Sequence, residues 1–383
     1  MGSLDDLFNA DREEVIEELA AERAAAFGFT PITPEELAAA RLTPRTIVPG
    51  LLYADVRTRI APGGIGKTTL ALSEAVKLAL GRDIWGLHPE HPVKTILVTK
   101  EDSRELLVAR VRELMAAMEL SWDERLQVLR NVRILDLSGD KFRLSTVTDD
   151  VVEPHRTNLV NLLDIIRDWK PDWVIFDPLV SFGVGESRVN DAEQGIIEAF
   201  RILRNSLDCC IEGIHHTGKV NARDGAMDQY AGRGGSALSD GCRMVVVIRP
   251  LNAAEWHKAT GEPLVGIDTG LVMSLPKLSY VGPQEPIYIR RRGYLFTHVQ
   301  PVKQDDEERS NAYAEKLLDF IRGEYEAGRR YSDNELDECA LVLGMKRTNI
   351  RDAKMLLKVE GRIEKVAKAD GVVAHYRPSK PRF

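Results

Sequence analysis

The chain has 383 residues, enough for two domains or for one large domain with an appendage. Hydrophobic residues at 44% and charged residues at 29% describe an ordinary soluble globular protein, and no apolar run approaches the roughly 18 residues that a membrane helix needs. The net charge of −7 argues against a surface coated in basic groups, but the charge is uneven: residues 341–383 carry eleven Lys or Arg against four Asp or Glu, so the remaining 340 residues carry −14.

In chain order, the acidic start MGSLDDLFNADREE lacks the basic-then-apolar layout of a secretory leader. Val15, Ile16, Leu19 and Ala26 share one face of an expected helix over residues 11–27, and a short helix is expected over 34–41; together these make an N-terminal helical extension, residues 1–43. From 44 to 303, β-branched runs alternate with helical patterns, which is the signature of a parallel sheet with crossover helices. Strands are expected at Ile96–Thr99, Val132–Leu135, Trp173–Phe176, Cys210–His215 and Met244–Ile248, with antiparallel edge additions at Val272–Lys277 and Ile287–Arg291. Helices are expected at Thr68–Leu80, Ser103–Met118, Leu159–Trp169 and Asp191–Ser206.

The charged stretch 304–311 reads as a linker, and 312–383 as a second, small domain of three helices and a hairpin. Ser332 to Glu335 forms a capping box, Gly344 supplies a turn, Thr348 caps the third helix, and Asp370-Gly371 punctuates two short strands. That order fits a winged helix-turn-helix. Cys209, Cys210, Cys242 and Cys339 show no CxxC spacing, which points to reduced thiols and a cytoplasmic setting.

The strongest chemical signal is Ala61-Pro62-Gly63-Gly64-Ile65-Gly66-Lys67-Thr68-Thr69, a phosphate-binding loop opening a helix. Its glycines let successive N–H groups of Gly63, Gly64, Ile65 and Gly66 point at a phosphate, at the positive end of the helix dipole. Lys67 would reach the β- and γ-phosphates of ATP, Thr68 would hold Mg²⁺, and Thr69 continues the site. Ala61 stands where such loops usually have glycine, a position a small residue fits.

Three strand ends supply the other groups. Trp173-Val174-Ile175-Phe176-Asp177 delivers Asp177 to order the Mg²⁺ shell. Ile96 to Thr99 ends in Lys100-Glu101-Asp102, where Glu101 would polarise the attacking water, although an acidic pair there also suits a helix cap. Ile214-His215-His216 ends a strand in a His pair, better explained as a γ-phosphate sensor than as a metal site because neighbouring strand residues face opposite ways. The glycine-rich loop that follows, with Lys219, Arg223 and Arg233, would grip a nucleic-acid backbone; a plain surface loop reads the same by composition.

Taken together, six blocks in order resemble the RepA-type branch of hexameric RecA-like helicases, grouped with DnaB and KaiC. They are Val48-Pro49-Gly50-Leu51, Lys100-Glu101-Asp102, Phe176-Asp177-Pro178, His215-His216-Thr217-Gly218-Lys219, Gly232 to Leu238, and Pro276-Lys277-Leu278-Ser279-Tyr280. The resemblance covers roughly residues 44–300. It implies an α/β, RecA-like fold, a homohexameric ring with ATP between subunits, Glu101 as catalytic carboxylate and His216 as sensor. It also implies a basic residue acting on a neighbour's nucleotide. The family's Lys-x-Arg pair reads Lys277-Leu278-Ser279 here, so Lys277, Arg290, Arg291 or Arg292 would have to supply that charge; the arginine triplet also suits a solvated edge strand.

Independently of the resemblance, Lys346, Arg347, Arg351, Lys354 and Lys358 spread along the turn and third helix of the small domain, where DNA contacts would be made, although many winged helices bind proteins instead. The expected function is therefore an ATP-dependent DNA helicase acting in replication of a plasmid, phage or mobile element, with single-stranded DNA in the ring and duplex at the winged helix. The alternatives are an ATP-switched DNA-binding regulator or defence ATPase that does not unwind, and a recombinase-like filament.

Overall fold

In a computed structural model of the protein, the described residues are 28–184, 189–218, 221, 225–232, 236–302, 306–366 and 374–379. The chain divides into two compact units, Met1–Gln300 and Pro301–Phe383. The helix expected over 11–27 lies outside the described residues.

The first unit begins with α1 (Pro34–Ala39), closed by a capping box between Thr33 and Glu36, and a small hairpin of β1 (Thr46–Val48) and β2 (Leu52–Tyr53). Then β3 (Val56–Ala61) runs through the phosphate loop into α2 (Lys67–Ala79). Next come β4 (Thr95–Thr99), α3 (Arg104–Ala117), α4 (Trp122–Asn131), β5 (Val132–Asp136) and the hairpin β6 (Ser145–Thr148) with β7 (Val151–Pro154). The unit continues through α5 (Arg156–Ile166), β8 (Trp173–Asp177), α6 (Val189–Leu207), β9 (Cys210–His216), α7 (Ala237–Gly241), β10 (Met244–Leu251) and α8 (Ala253–Thr260). It ends in β11 (Thr269–Leu278), β12 (Ile287–Arg292) and β13 (Leu295–Val299).

Nine strands form one sheet in the order β13-β12-β11-β10-β3-β9-β8-β4-β5. The six from β10 to β5 are parallel; β11 and β12 add antiparallel at one edge, as expected from the sequence, and β13 extends that edge. Strands covered on both faces read as continuous apolar runs, and all five residues of β8 are buried. One face packs against α2, α3 and α4 through Leu70, Val76, Leu107 and Val128; the other packs against α5 and α6 through Leu159, Ile197 and Phe200. The fold is thus the expected α/β arrangement with a mostly parallel central sheet. Among the described residues, no helix is long and apolar enough to cross a membrane.

Among the strands expected from the sequence, β3 was not one. Its residues Val-Arg-Thr-Arg-Ile-Ala look half polar, yet every one is buried. The reason is ionic: Arg57 and Arg59 meet Glu212 of β9, and Arg59 also meets Glu74 of α2, inside the core. The β6–β7 hairpin and β13 were also unanticipated.

The second unit contains α9 (Asp306–Glu326), α10 (Asp333–Glu338), α11 (Ala340–Leu343), α12 (Arg347–Val359) and an antiparallel pair, β14 (Ile363–Val366) with β15 (His375–Pro378). Its core is Leu317, Leu318, Ile321, Leu336, Ile350, Leu357, Ile363 and Tyr376. Two local expectations need correction. The stretch 304–311 is not a linker throughout, because α9 starts at Asp306. Thr348 does not cap the third helix, which starts at Arg347, two residues earlier than such a cap requires, with Lys346 at the cap position and no side-chain bond there. The Ser332–Glu335 capping box and the left-handed Gly344 are both present, while Asp370-Gly371 lies outside the described residues.

Candidate nucleotide site

In a parallel sheet the carboxyl ends of the strands form the binding edge, and here β3, β4, β8 and β9 bring their last residues to it together. The turn after β3 is held by Gly64 and Gly66, with φ of +80° and +87°, which a side chain would strain. Gly66 occupies the N-cap position of α2 and offers no side-chain cap. The first N–H groups of a 13-residue helix therefore remain directed at the loop, ready for an anion.

Lys67, the first residue of α2, folds back over the loop. Its Nζ donates to the Pro62 carbonyl at 3.2 Å and lies 3.3 Å from Nδ1 of His216. Burial pushes the Lys67 ammonium below its ordinary range, against the pull of Asp177 and Glu101. Thr68 donates its hydroxyl to Asp177 Oδ2 at 2.5 Å. Asp177 is 5% exposed, and burial pushes its carboxyl up to about 6, with Glu101 and Asp102 adding to the rise and Thr68 and Lys67 opposing it.

Those oxygens fit a hard cation. A buried carboxylate that water solvates poorly, beside a threonine hydroxyl, is the donor set that a small divalent ion takes up together with a nucleotide's phosphates. The left-handed glycines form the phosphate cradle next to it.

Glu101 follows β4 and is solvent-exposed; its N–H donates to Thr99 Oγ1 at 3.3 Å, and its charge bears on both Lys67 and Asp177. Neither acidic neighbour is the cap of α3. Ser103 does that, accepting from Leu106 N–H, while Asp102 pairs with Arg110 at 2.6 Å. The His pair separates as strand geometry requires. His216 sits beside Lys67, whereas a Cβ on Gly232 would come within 3.1 Å of His215 Cδ2.

The loop after β9 is closed at its base by a bridge between Thr217 and Gly232 and by Gly218 N–H donating to Ala231 O. Lys219, Arg223 and Arg233 lie outside the described residues.

Each basic residue expected to act across a subunit boundary has a partner in its own chain. Lys277 donates to the carbonyls of Ser239 and Asp240 at the end of α7, at 2.8 and 3.0 Å. Arg292 grips Asp268 with two bonds, at 2.6 and 2.8 Å, and Arg290 pairs with Glu262. Arg291 donates from Nη1 to the Ile65 carbonyl, within the phosphate loop itself, at 3.0 Å. Nothing in the local sequence signals that contact, whose partners are 226 residues apart.

In the second unit, Lys346, Arg347 and Lys358 are exposed, and Arg351 pairs with Asp337 at 2.8 Å. Lys354 is corrected: it is 5% exposed and bonded to Asp333 and Asp337, on the same helix face as the buried Ile350, Ala353 and Leu357. That position withholds it from a polyanion.

A solved structure similar to this chain is that of a KaiC-like protein from the hyperthermophilic archaeon Pyrococcus horikoshii OT3. It is 12% identical, with 67% of this chain and 99% of that chain covered and a TM-score of 0.42. The family model for the AAA domain (AAA_25) matches residues 23–222, just over half of the 383, a span that holds Lys67, Glu101, Asp177 and His216. The chain belongs to this AAA-domain family.

Proposed function

We propose that the protein is an ATP hydrolase that works on DNA as a RepA-like hexameric helicase or translocase, in replication of a plasmid, phage or other mobile element. The observation that carries the ATPase reading is the convergence of Lys67, Thr68, Asp177 and His216 at one strand edge, within 3.3 Å of their respective partners. Mg²⁺, when bound, neutralises charge on the phosphates. Thr68 and Asp177 are the residues that would hold it. Lys67 would bind the outer phosphates, Glu101 would polarise the attacking water, and His216 would report on the γ-phosphate through its contact with Lys67.

Support for DNA as partner comes from the six-block resemblance, the basic loop after β9 and the basic C-terminal 43 residues. The helices α9 to α12 followed by the antiparallel pair β14 and β15 in the second unit support a winged helix-turn-helix there. Sequential hydrolysis at subunit interfaces would move the loops along a single strand.

A second reading is an ATP-switched DNA-binding regulator or defence ATPase that does not unwind. It is favoured by the intramolecular partners of Lys277, Arg290, Arg291 and Arg292, which leave the expected trans-acting charge unidentified. The test is ATP hydrolysis with and without single-stranded DNA, with Lys67→Ala as blank, followed by displacement of a strand from a tailed duplex. Stimulation and displacement support the motor. Slow hydrolysis indifferent to single strands, with duplex binding through residues 310–383, supports the switch.

A further inference from the structure

Arg291, near the end of β12, lies against the outside of its own phosphate loop. Its Nη1 donates to the Ile65 carbonyl at 3.0 Å, and its Nε donates to the Gly293 carbonyl at 3.0 Å. The guanidinium stacks near the ring of Phe296, 5.4 Å from its centroid. It also fills the space where a side chain on Gly66 would go, with Nη1 2.5 Å from the position a Cβ would take.

This geometry has a direct consequence for phosphate binding. Ile65 and Gly66 share one peptide plane, and in a trans peptide the C=O and the N–H point in opposite directions. A donor that fixes the Ile65 carbonyl on the outer side of the loop therefore aims the Gly66 N–H at the inner side. That N–H is among those the cradle presents to a phosphate. The turn after β12, at Gly293, anchors the same guanidinium, so the edge hairpin and the phosphate loop are tied through one side chain.

We propose that Arg291 is a positioning residue for nucleotide binding in its own subunit, an external brace that orients the Ile65–Gly66 peptide towards the phosphates. It does not serve a neighbour's site. The proposal rests on the reading of the loop as an ATP site. Arg290 and Arg292, its neighbours in sequence, are held by Glu262 and Asp268 and take no part.

The experiment measures equilibrium binding of a fluorescent ATP analogue with Mg²⁺ to the full chain, in wild type, Lys67→Ala, Arg290→Ala and Arg291→Ala. Thermal melting without nucleotide is followed for each, and Arg291→Gln, which keeps part of the stem over Phe296, replaces the alanine variant if that one fails to fold. The expected result is a loss of affinity of about tenfold or more for Arg291→Ala, the scale of one lost charge-assisted hydrogen bond. KM for ATP should rise with little change in kcat, melting without nucleotide should hold, and Arg290→Ala should bind as wild type. At ATP well below the raised KM of Arg291→Ala, mixing it in equal amounts with Lys67→Ala should give no more hydrolysis than the Arg291→Ala share alone, because in cis every site then lacks one of the two residues.

Wild-type affinity in Arg291→Ala, alongside abolished binding in Lys67→Ala, would overturn the brace and leave the nucleotide site standing. Recovered hydrolysis in the mixture would show that Arg291 completes a neighbour's site, which overturns action in cis. Failure of the wild type itself to bind would remove the nucleotide reading and the brace with it.

Discussion

Arg59 of β3 donates to Glu212 of β9 at 2.6 Å, and neither side chain is exposed to water. Glu212 accepts a second bond from Trp173 Nε1 at 3.0 Å and lies 3.3 Å from Arg57, while Arg59 reaches on to Glu74 of α2. Burial alone would push the Glu212 carboxyl up, but Arg57 and Arg59 hold it below the usual glutamate range. The network joins the strand entering the phosphate loop, the strand carrying the His pair and the helix that follows the loop.

Replacing Glu212 with Gln should therefore destabilise the fold by about 3–5 kcal/mol, since it leaves two buried guanidinium groups short of their counter-charge. Urea denaturation at neutral pH measures this. Because the folded-state pKa is depressed, the Glu212 contribution is present above the ordinary glutamate value and is lost as pH falls through the lower folded value. The gap between wild type and Glu212→Gln should narrow in acid. A gap unchanged down to the acid transition would contradict it.

Asp177→Asn should separate stability from activity. With its pKa raised to about 6 from 3.8, ionised Asp177 costs the folded state on the order of 3 kcal/mol at neutral pH. That cost is relieved as pH falls from about 6 towards 4, because the folded form takes up the proton first. The asparagine variant should melt higher than wild type at pH 7 without nucleotide, by up to about that amount, and lose Mg²⁺-dependent hydrolysis. A variant that melts lower would show that the carboxylate is stabilised by something else.

Glu101→Gln should leave nucleotide binding close to wild type and lower kcat by a factor on the order of 10² to 10⁴, the usual worth of a general base. Phosphate release under saturating ATP, set beside equilibrium binding, tells the two apart. Hydrolysis within a few-fold of wild type would move the role of base to another group.

In the second unit, Lys354 and Arg347 should behave as opposites. Lys354→Ala removes the buried ammonium that joins Asp333 to Asp337, which keep Lys365 and Arg351 as partners, and should cost about 2 kcal/mol in the melting of that unit. Arg347→Ala, at an exposed position, should leave stability within about 0.5 kcal/mol while weakening duplex DNA binding and lowering its salt slope by about one. Equal DNA affinity for Arg347→Ala and wild type would favour a protein partner for this helix.

The phosphate loop and the three strand ends were legible because each is a contiguous run in which residue type and secondary structure announce the same chemistry. The mostly parallel class of the sheet followed from the alternation of strands and helices between residues 44 and 300, but the order of its strands did not. What stayed hidden depends on distant partners. The strand β3 reads as polar until Glu212 and Glu74 are seen to meet its arginines; a lone Glu within the apolar run Cys209-Cys210-Ile211-Glu212 was the available hint. Lys354 sits on a face whose burial depends on α10, and Arg291 looks like part of an exposed arginine triplet until its bond to Ile65 is known.

The dry ionic knot at Arg59 also bears on which parts of the site can shift. It locks β3, β9 and the first half of α2 into a rigid body, because sliding any one of them would strip a buried charge of its counter-ion. Under the proposed ATPase reading, any displacement linked to the nucleotide within this unit would leave the floor of the site in place.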